Sequence, residues 1–229
     1  VVVSGDHGIP GFPRAKCNLY DIGCEVALAA RWPGHIANGR VVEDMINLMD
    51  LAPTFLQAAD IEPPTCMSGS SLMEILESDA SGQIDPARDA VVMGRERHVA
   101  RAREGNLPYP QRAIRTHDFL YIRNFEPERW PMGDPQGLDD PKTAPPPYAA
   151  LESDTFVAYP DLDASPTKAW MIHHRAEEHV QTLFDLGFGK RPGCELFDLR
   201  KDPNYLNNVA DDPAYTDICR TLDARMMSV

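Results

Sequence analysis

The sequence predicts an α/β chain whose sheet character changes partway, and three observations lead to that reading. Val1-Val2-Val3-Ser4 opens the chain as an unbroken β-branched run, and Val26–Ala30 (VALAA) repeats the pattern. Continuous apolar runs of this kind suit buried strands of a mainly parallel sheet. Apolar residues at helical spacing follow, and beyond residue 90 short strands and a hairpin signal point to antiparallel sheet.

Taken in order, the first strand ends in Gly5-Asp6-His7-Gly8, the strand end at which open α/β sheets place their ligand sites. Ile9 to Asn18 holds Pro10, Gly11 and Pro13 and reads as irregular backbone. The second strand stops at Pro33-Gly34. Asp44 to Ala59 carries Met45, Leu48, Met49, Leu56 and Ala59 at helical intervals. Asp50 is an N-cap candidate there and Pro53 fits a first turn, so two short elements are expected rather than one helix. Ser70 or Ser71 caps a helix over about Leu72–Leu76.

Glu77 to Asp89 is polar and small, and a domain boundary is placed there. Ala90–Met93 reads as a strand. Ala113-Ile114 and Leu120–Ile122 form a hairpin around Thr116-His117-Asp118. Glu126 to Pro160, rich in Pro, Gly and Asp, is expected as one long loop. Ala169–Leu186 is expected as a single helix, Leu196–Leu199 as the last strand, and Ala214–Met226 as a terminal helix.

Bulk properties narrow the function. A net charge of -13 argues against nucleic acid, whose phosphates need accumulated Lys and Arg. A polyanionic substrate would need a local basic patch. No run approaches the roughly 18 apolar residues of a membrane helix. The five cysteines form no metal-type pair at two-residue spacing, and their odd number leaves at least one free thiol. The chain opens without an initiator Met or signal-type segment, which reads as a strand entered partway.

Asp6-His7 is the first chemical candidate: a carboxylate and an imidazole at a strand end can reach one metal ion. An N-cap Asp beside a surface His is the competing reading. Lys16, with Arg14 close by, supplies a cation suited to a tetrahedral anion, against the alternative of a solvated Lys. Arg95, Arg97, Arg101 and Arg103, with His98 among them, place four arginines in nine positions of an acidic chain. Guanidinium forks bind sulfate-like oxygens bidentately. Glu96 and Glu104 are interleaved, so an ion-paired surface strand is the alternative. His173 and His174 are adjacent on a helix, about 100° apart, and with His179 read as surface or core histidines. Met45 and Met49 read as core.

Four stretches then acquire a common meaning. They are Val1–Gly8; Lys16-Cys17-Asn18-Leu19-Tyr20-Asp21-Ile22-Gly23; Met49–Leu56 with Ile61–Pro64 and Gly69–Leu72; and Glu195–Pro203 with Asn208-Val209-Ala210. In this order, across nearly the whole chain, they resemble the sulfatase family of the alkaline-phosphatase superfamily. The resemblance implies that residues 1–85 are the C-terminal portion of a large mixed-sheet catalytic α/β domain. Residues 86–229 would be a smaller α+β domain with an antiparallel sheet and a C-terminal helix. It implies hydrolysis of sulfate esters or N-sulfates by formylglycine, formed from Cys or Ser in a Cys/Ser-x-Pro-x-Arg motif. None of the five cysteines stands in that pattern, so the nucleophile and further metal carboxylates are expected in an N-terminal segment absent here, and this piece alone is expected to be inactive.

By the same resemblance Asp6 matches a calcium-ligand position and His7 its neighbour. Because imidazole is unusual on Ca2+, His7 either hydrogen-bonds the nucleophile or favours another divalent metal. Lys16 matches the cation that contacts sulfate, with Arg14 as competitor. Gly94–His98 and Tyr109–Arg115 are most similar to heparan N-sulfatase (sulfamidase)-like members, which makes Glu96, Arg97 and His98 candidate sugar-binding residues. The implied substrate is a sulfated glycan or small molecule, and the implied location periplasmic or secreted. The exposed face of a cut α/β layer would be covered by the absent segment or by a second copy in a homo-oligomer. A phosphodiesterase or phosphonate hydrolase of the same superfamily, and a non-catalytic glycan-binding remnant, are the alternative functions.

Overall fold

The computed structural model describes residues 1–229. They form two compact units, one of Val1–Ser4, Ala27–Val91 and Arg115–His117, the other of Gly5–Val26, Val92–Ile114 and Asp118–Val229. No helix is long and apolar enough to cross a membrane.

In the first unit, β1 (Val2–Ser4) pairs antiparallel with β2 (Leu28–Ala30), Val2 opposite Ala30. The expected parallel, buried strands are therefore corrected. The two strands make a sheet of their own, and Val1 and Val3 lie exposed. An apolar run specifies a strand but not its partner, which non-local pairing decides.

The helical region divides as expected, into a 3-10 turn (Leu48–Asp50) and α2 (Leu51–Gln57), after the short helix α1 (Asp21–Cys24) of the other unit. Asp50 does not cap α2 with its side chain. Its carboxylate instead accepts from the amides of Asn47 at 3.0 Å and Ser70 at 2.8 Å and pairs with Arg88 at 2.9 Å. Thr54 Oγ1 accepts from the amide of Leu72 at 2.9 Å. A Cβ on Gly69 would run into the carbonyl of Met49. The Met49–Leu56 and Gly69–Leu72 stretches are thus one packed knot. Helix α3 (Met73–Glu77) ends with Arg40, whose guanidinium caps the carbonyls of Ile75 at 3.2 Å and Leu76 at 2.8 Å.

A four-stranded antiparallel sheet, most of whose residues belong to the second unit, runs in the order β3 (Ala90–Arg95), β4 (Gln111–Thr116), β5 (Phe119–Asn124), β6 (Cys194–Asp198). The hairpin turns at His117-Asp118 as expected, and β5 pairs with β6 from Phe119 opposite Asp198 to Arg123 opposite Cys194. Asn208 extends the edge of β6: its side chain accepts from Leu196 N at 2.8 Å and donates to Cys194 O at 3.2 Å. The terminal helix α7 (Thr216–Met226), entered through a 3-10 turn at Pro213–Tyr215, is tied to β5 by Tyr121 Oη donating to Asp223 at 3.1 Å.

Two further expectations change. The stretch 126–160 is not one loop, because it folds α4 (Tyr148–Ser153) around buried Leu151. The single helix over 169–186 is two helices, α5 (Pro166–His174) and α6 (Glu178–Phe188). Ser165 caps α5 by accepting from Lys168 N, with Pro166 in the first turn. Gly187 lies inside α6, where a Cβ would press on the Pro13 ring. The buried Lys168 ammonium donates to the carbonyls of Thr155 at 3.0 Å, Tyr159 at 3.3 Å and Leu162 at 2.9 Å, fixing the loop before α5. Beneath it, Tyr159, Phe188, Ile172 and Leu151 share one apolar cluster, while Tyr20, Leu120, Ile122 and Phe197 share another at the sheet.

Candidate functional site

Asp6, His7, Arg14 and Lys16 lie on one loop, Gly5–Val26, that folds within the second unit. Its ends are drawn together where Gly8 N donates to Gly23 O at 3.0 Å. A Cβ on Gly8 would overlap the carbonyl of Ile22, and one on Gly23 would overlap the carbonyls of Ala15 and Asn18. Only glycine allows this approach. Lys16 N donates to Ile9 O at 3.2 Å, and Arg14 and Cys17 take left-handed backbone, φ 62° and 69°. Tyr20 anchors the loop to β6, donating at 2.7 Å to Glu195, which also accepts from Asn124 at 2.9 Å. Burial pushes the Tyr20 phenol well above its ordinary value, which keeps it a donor.

His7 Nδ1 lies 2.7 Å from the carbonyl of Gly8. A carbonyl only accepts, so Nδ1 is the donor in this contact and Nε2 is the ring nitrogen turned towards Asp6. That Nε2 is 3.6 Å from Asp6 Oδ2, and the Asp6 side chain is 89% exposed. Two donor atoms at this separation can share one cation with bonds of about 2.0–2.6 Å. A ring oriented by a backbone carbonyl is the usual support for a ligating imidazole. No group of three or more His, Cys, Asp or Glu side chains gathers around a common point. The pair fits a divalent metal as part of a ligand set.

Lys16 Nζ sits 2.9 Å from Asp163 Oδ2, both side chains about a quarter exposed at 26%. Arg14 is occupied differently. Its Nε donates to Leu186 O at 3.1 Å, its Nη1 donates to Tyr205 O, and the guanidinium lies 4.3 Å from the centre of the Tyr20 ring. Its fork therefore holds backbone inside the unit, whereas Lys16 is partly exposed and bonded to a side chain, Asp163.

The arginine run separates by burial. Arg95 is buried and donates to Cys17 O at 2.6 Å and Pro131 O at 3.0 Å. Desolvation lowers its pKa, a cost offset by these carbonyls and by the Tyr109 ring face 5.2 Å away. Arg103 is buried on the same ring and donates to Trp130 O at 2.7 Å, Pro131 O at 2.9 Å and Asp161 at 2.8 Å. These two shape the loop. Glu96 forms an exposed ion pair with Arg112 at 2.5 Å, and Arg97 is exposed. His98 is half-buried with Nδ1 unpartnered, next to Val99, whose amide donates to Asp161 at 3.2 Å.

Asp161 and Asp163 escaped the sequence reading. They lie in an aperiodic Pro- and Asp-rich stretch, and the one signal beside them is the Ser165-Pro166 helix start. Cys17 donates to Asp161 O at 2.9 Å, and burial raises both its thiol and that of Cys24 to about 11, so neither is a ready nucleophile. All five cysteines are free thiols. The α5–α6 histidines have local roles: His173 bonds Pro146 O at 3.0 Å, His174 stacks on Trp170 with centroids 4.6 Å apart, and His179 faces Glu177 at 3.6 Å.

Residues 7–149 match the family model of the N-sulphoglucosamine sulphohydrolase C-terminal region. An ulvan-active sulfatase of Formosa agariphila is 27% identical over 99% of this chain and 36% of its own length. Human N-sulphoglucosamine sulphohydrolase is 25% identical over 97% of this chain and 39% of its own. The chain thus spans little more than a third of these relatives. Among solved structures, a 2-O GAG sulfatase superposes with a TM-score of 0.58 at 19% identity, over 99% of this chain and 35% of that one. A protein solved with its substrate D-glucosamine-2-N,6-O-disulfate gives 0.51 at 18% identity, over 91% of this chain and 28% of that one. These likenesses show the fold. With the family model covering more than half of its residues, the chain belongs to the N-sulphoglucosamine sulphohydrolase C-terminal family, a C-terminal sulfatase region of the alkaline-phosphatase superfamily.

Proposed function

We propose that the chain supplies one side of the active site of a sulfuric-ester or sulfamate hydrolase acting on a sulfated glycan. The observation that carries this is the placing of His7 Nε2 3.6 Å from Asp6 Oδ2, on a glycine-closed loop that also bears Lys16. Asp6 and His7 hold a divalent cation, with Ca2+ the first candidate because a carboxylate is a hard ligand. When bound, such an ion would offset negative charge on the sulfuryl group. Lys16 donates to a sulfuryl oxygen, as a preoriented cation does for developing negative charge. The nucleophile would be a formylglycine contributed from outside these residues. Glu96, Arg97 and His98 are the residues assigned to the sugar. A glycan of this kind points to a periplasmic or secreted protein.

The test is a panel of sulfated and phosphorylated aryl esters and N-sulfated and O-sulfated sugars, run with the full-length protein. Turnover of sulfates or sulfamates well above phosphates supports the proposal, and Lys16→Ala lowers kcat/KM on all of them. Preference for phosphate diesters or phosphonates would replace it with the related hydrolase activity. Binding of sulfated glycan without turnover would replace it with a binding role.

A further inference from the structure

Asp163 poses a problem that the proposed function leaves open. A carboxylate 2.9 Å from the ammonium of Lys16 works against binding an anion there, unless it serves a purpose of its own.

The segment around Asp163 is fixed on both sides. Asp161 takes Arg103 at 2.8 Å and Val99 N at 3.2 Å, and Leu162 O takes Lys168 at 2.9 Å. Ala164 N donates to Thr155 Oγ1 at 3.0 Å, and Ser165 Oγ donates to Gly11 O at 2.6 Å. The carboxylate is therefore preorganised. Its Oδ2 takes one of the three N–H donors of Lys16, leaving two for an anion. Its bond to Lys16 is made through Oδ2, and the side chain is partly open to solvent, so Oδ1 can accept from a ligand. Beside the sulfuryl-binding ammonium stands a fixed, negatively charged acceptor.

From this we infer that Asp163 is a specificity-determining residue. It selects a sulfate or sulfamate whose neighbouring carbon carries a hydroxyl or N–H donor, and it turns away one with a second sulfate there. The donor satisfies Oδ1, whereas a second sulfate meets a like charge in a partly desolvated site. The inference rests on the reading of Lys16 as the sulfuryl-binding cation.

The experiment uses the full-length protein with three probes: an aryl sulfate without a neighbouring donor, a hexose monosulfate with a free adjacent hydroxyl, and the same hexose sulfated at both positions. In Asp163→Asn the amide oxygen keeps its bond to Lys16 and the amide nitrogen turns a donor to the substrate. The ratio of kcat/KM for monosulfate over disulfate is expected to fall at least about tenfold, mainly through KM. The aryl sulfate, which offers no neighbouring donor, reads the effect of the lost charge on Lys16 itself, and the monosulfate-to-disulfate ratio is expected to change beyond that effect. Asp163→Ser, which removes the charge with a smaller group, gives the same reading if the Asn variant does not fold. A ratio unmoved in a folded variant overturns this inference alone. A wild type inactive on all three probes overturns it together with the proposed function.

Discussion

The amide of Gly8 donates to the carbonyl of Gly23 across 3.0 Å, and each glycine sits where a side chain would overlap backbone. This contact closes the loop that presents Asp6, His7 and Lys16. Neither glycine is at positive φ, so the requirement is for space and not for left-handed backbone.

Gly8→Ala and Gly23→Ala therefore force the loop apart. Each is expected to lower stability by about 1–3 kcal/mol, the range of overpacking. Urea unfolding measures the loss. The full-length Gly8→Ala variant is also expected to lose divalent-metal affinity, because Asp6 and His7 are displaced.

Arg103 and Asp161 form a fully desolvated pair at 2.8 Å. Removing one partner leaves the other buried and charged. Arg103→Met alone is expected to cost about 3–5 kcal/mol. The double variant Arg103→Met, Asp161→Leu is expected to cost less than the two single losses added together. A double-mutant cycle by denaturant titration checks this, and strict additivity would deny the pair.

Lys168 is buried, and its ammonium donates to three carbonyls. Lys168→Met preserves much of the stem and leaves those carbonyls unpaired, so a loss of about 2–4 kcal/mol is expected. Hydrogen exchange is expected to rise across residues 155–162 before the sheet is affected.

Asp198 accepts from Arg200 at 2.7 and 2.9 Å and from Tyr215 at 2.9 Å, and these bonds, those of Arg200 first, hold its carboxyl well below the usual range. The folded pKa lies below the unfolded one, so between them the unfolded chain binds more protons. The contribution is complete above the unfolded value of about 4 and is lost as pH falls below it. Asp198→Asn is expected to flatten the stability curve on the acid side of pH 4 and to change its shape little above pH 6. Melts from pH 2 to 7 check the sign.

Much of the architecture was legible because it is local. The hairpin at His117-Asp118, the division of Asp44–Ala59 into two elements and the strand at Leu196 follow from short-range pattern. The family stretches also have local physical content, as in Gly69 packed on Met49 and Asn208 bonded along β6. Partnership over long sequence separation was not legible. Arg95 and Arg103 read as a solvated or substrate-binding run, yet they turn inward to carbonyls of Trp130 and Pro131. β1 read as a buried parallel strand, and its antiparallel partner is chosen by folding of the chain between. Asp163 left no trace in sequence, because its significance comes from Lys16, far away along the chain.

The most direct test of the Asp6–His7–Lys16 account is the Asp6→Ala variant of the full-length protein, assayed together for bound divalent metal and for turnover of a sulfated substrate. The account predicts loss of the metal and a fall in kcat on the order of a thousandfold, the consequence of several kcal/mol of lost transition-state stabilisation. Wild-type metal content with wild-type turnover would contradict it.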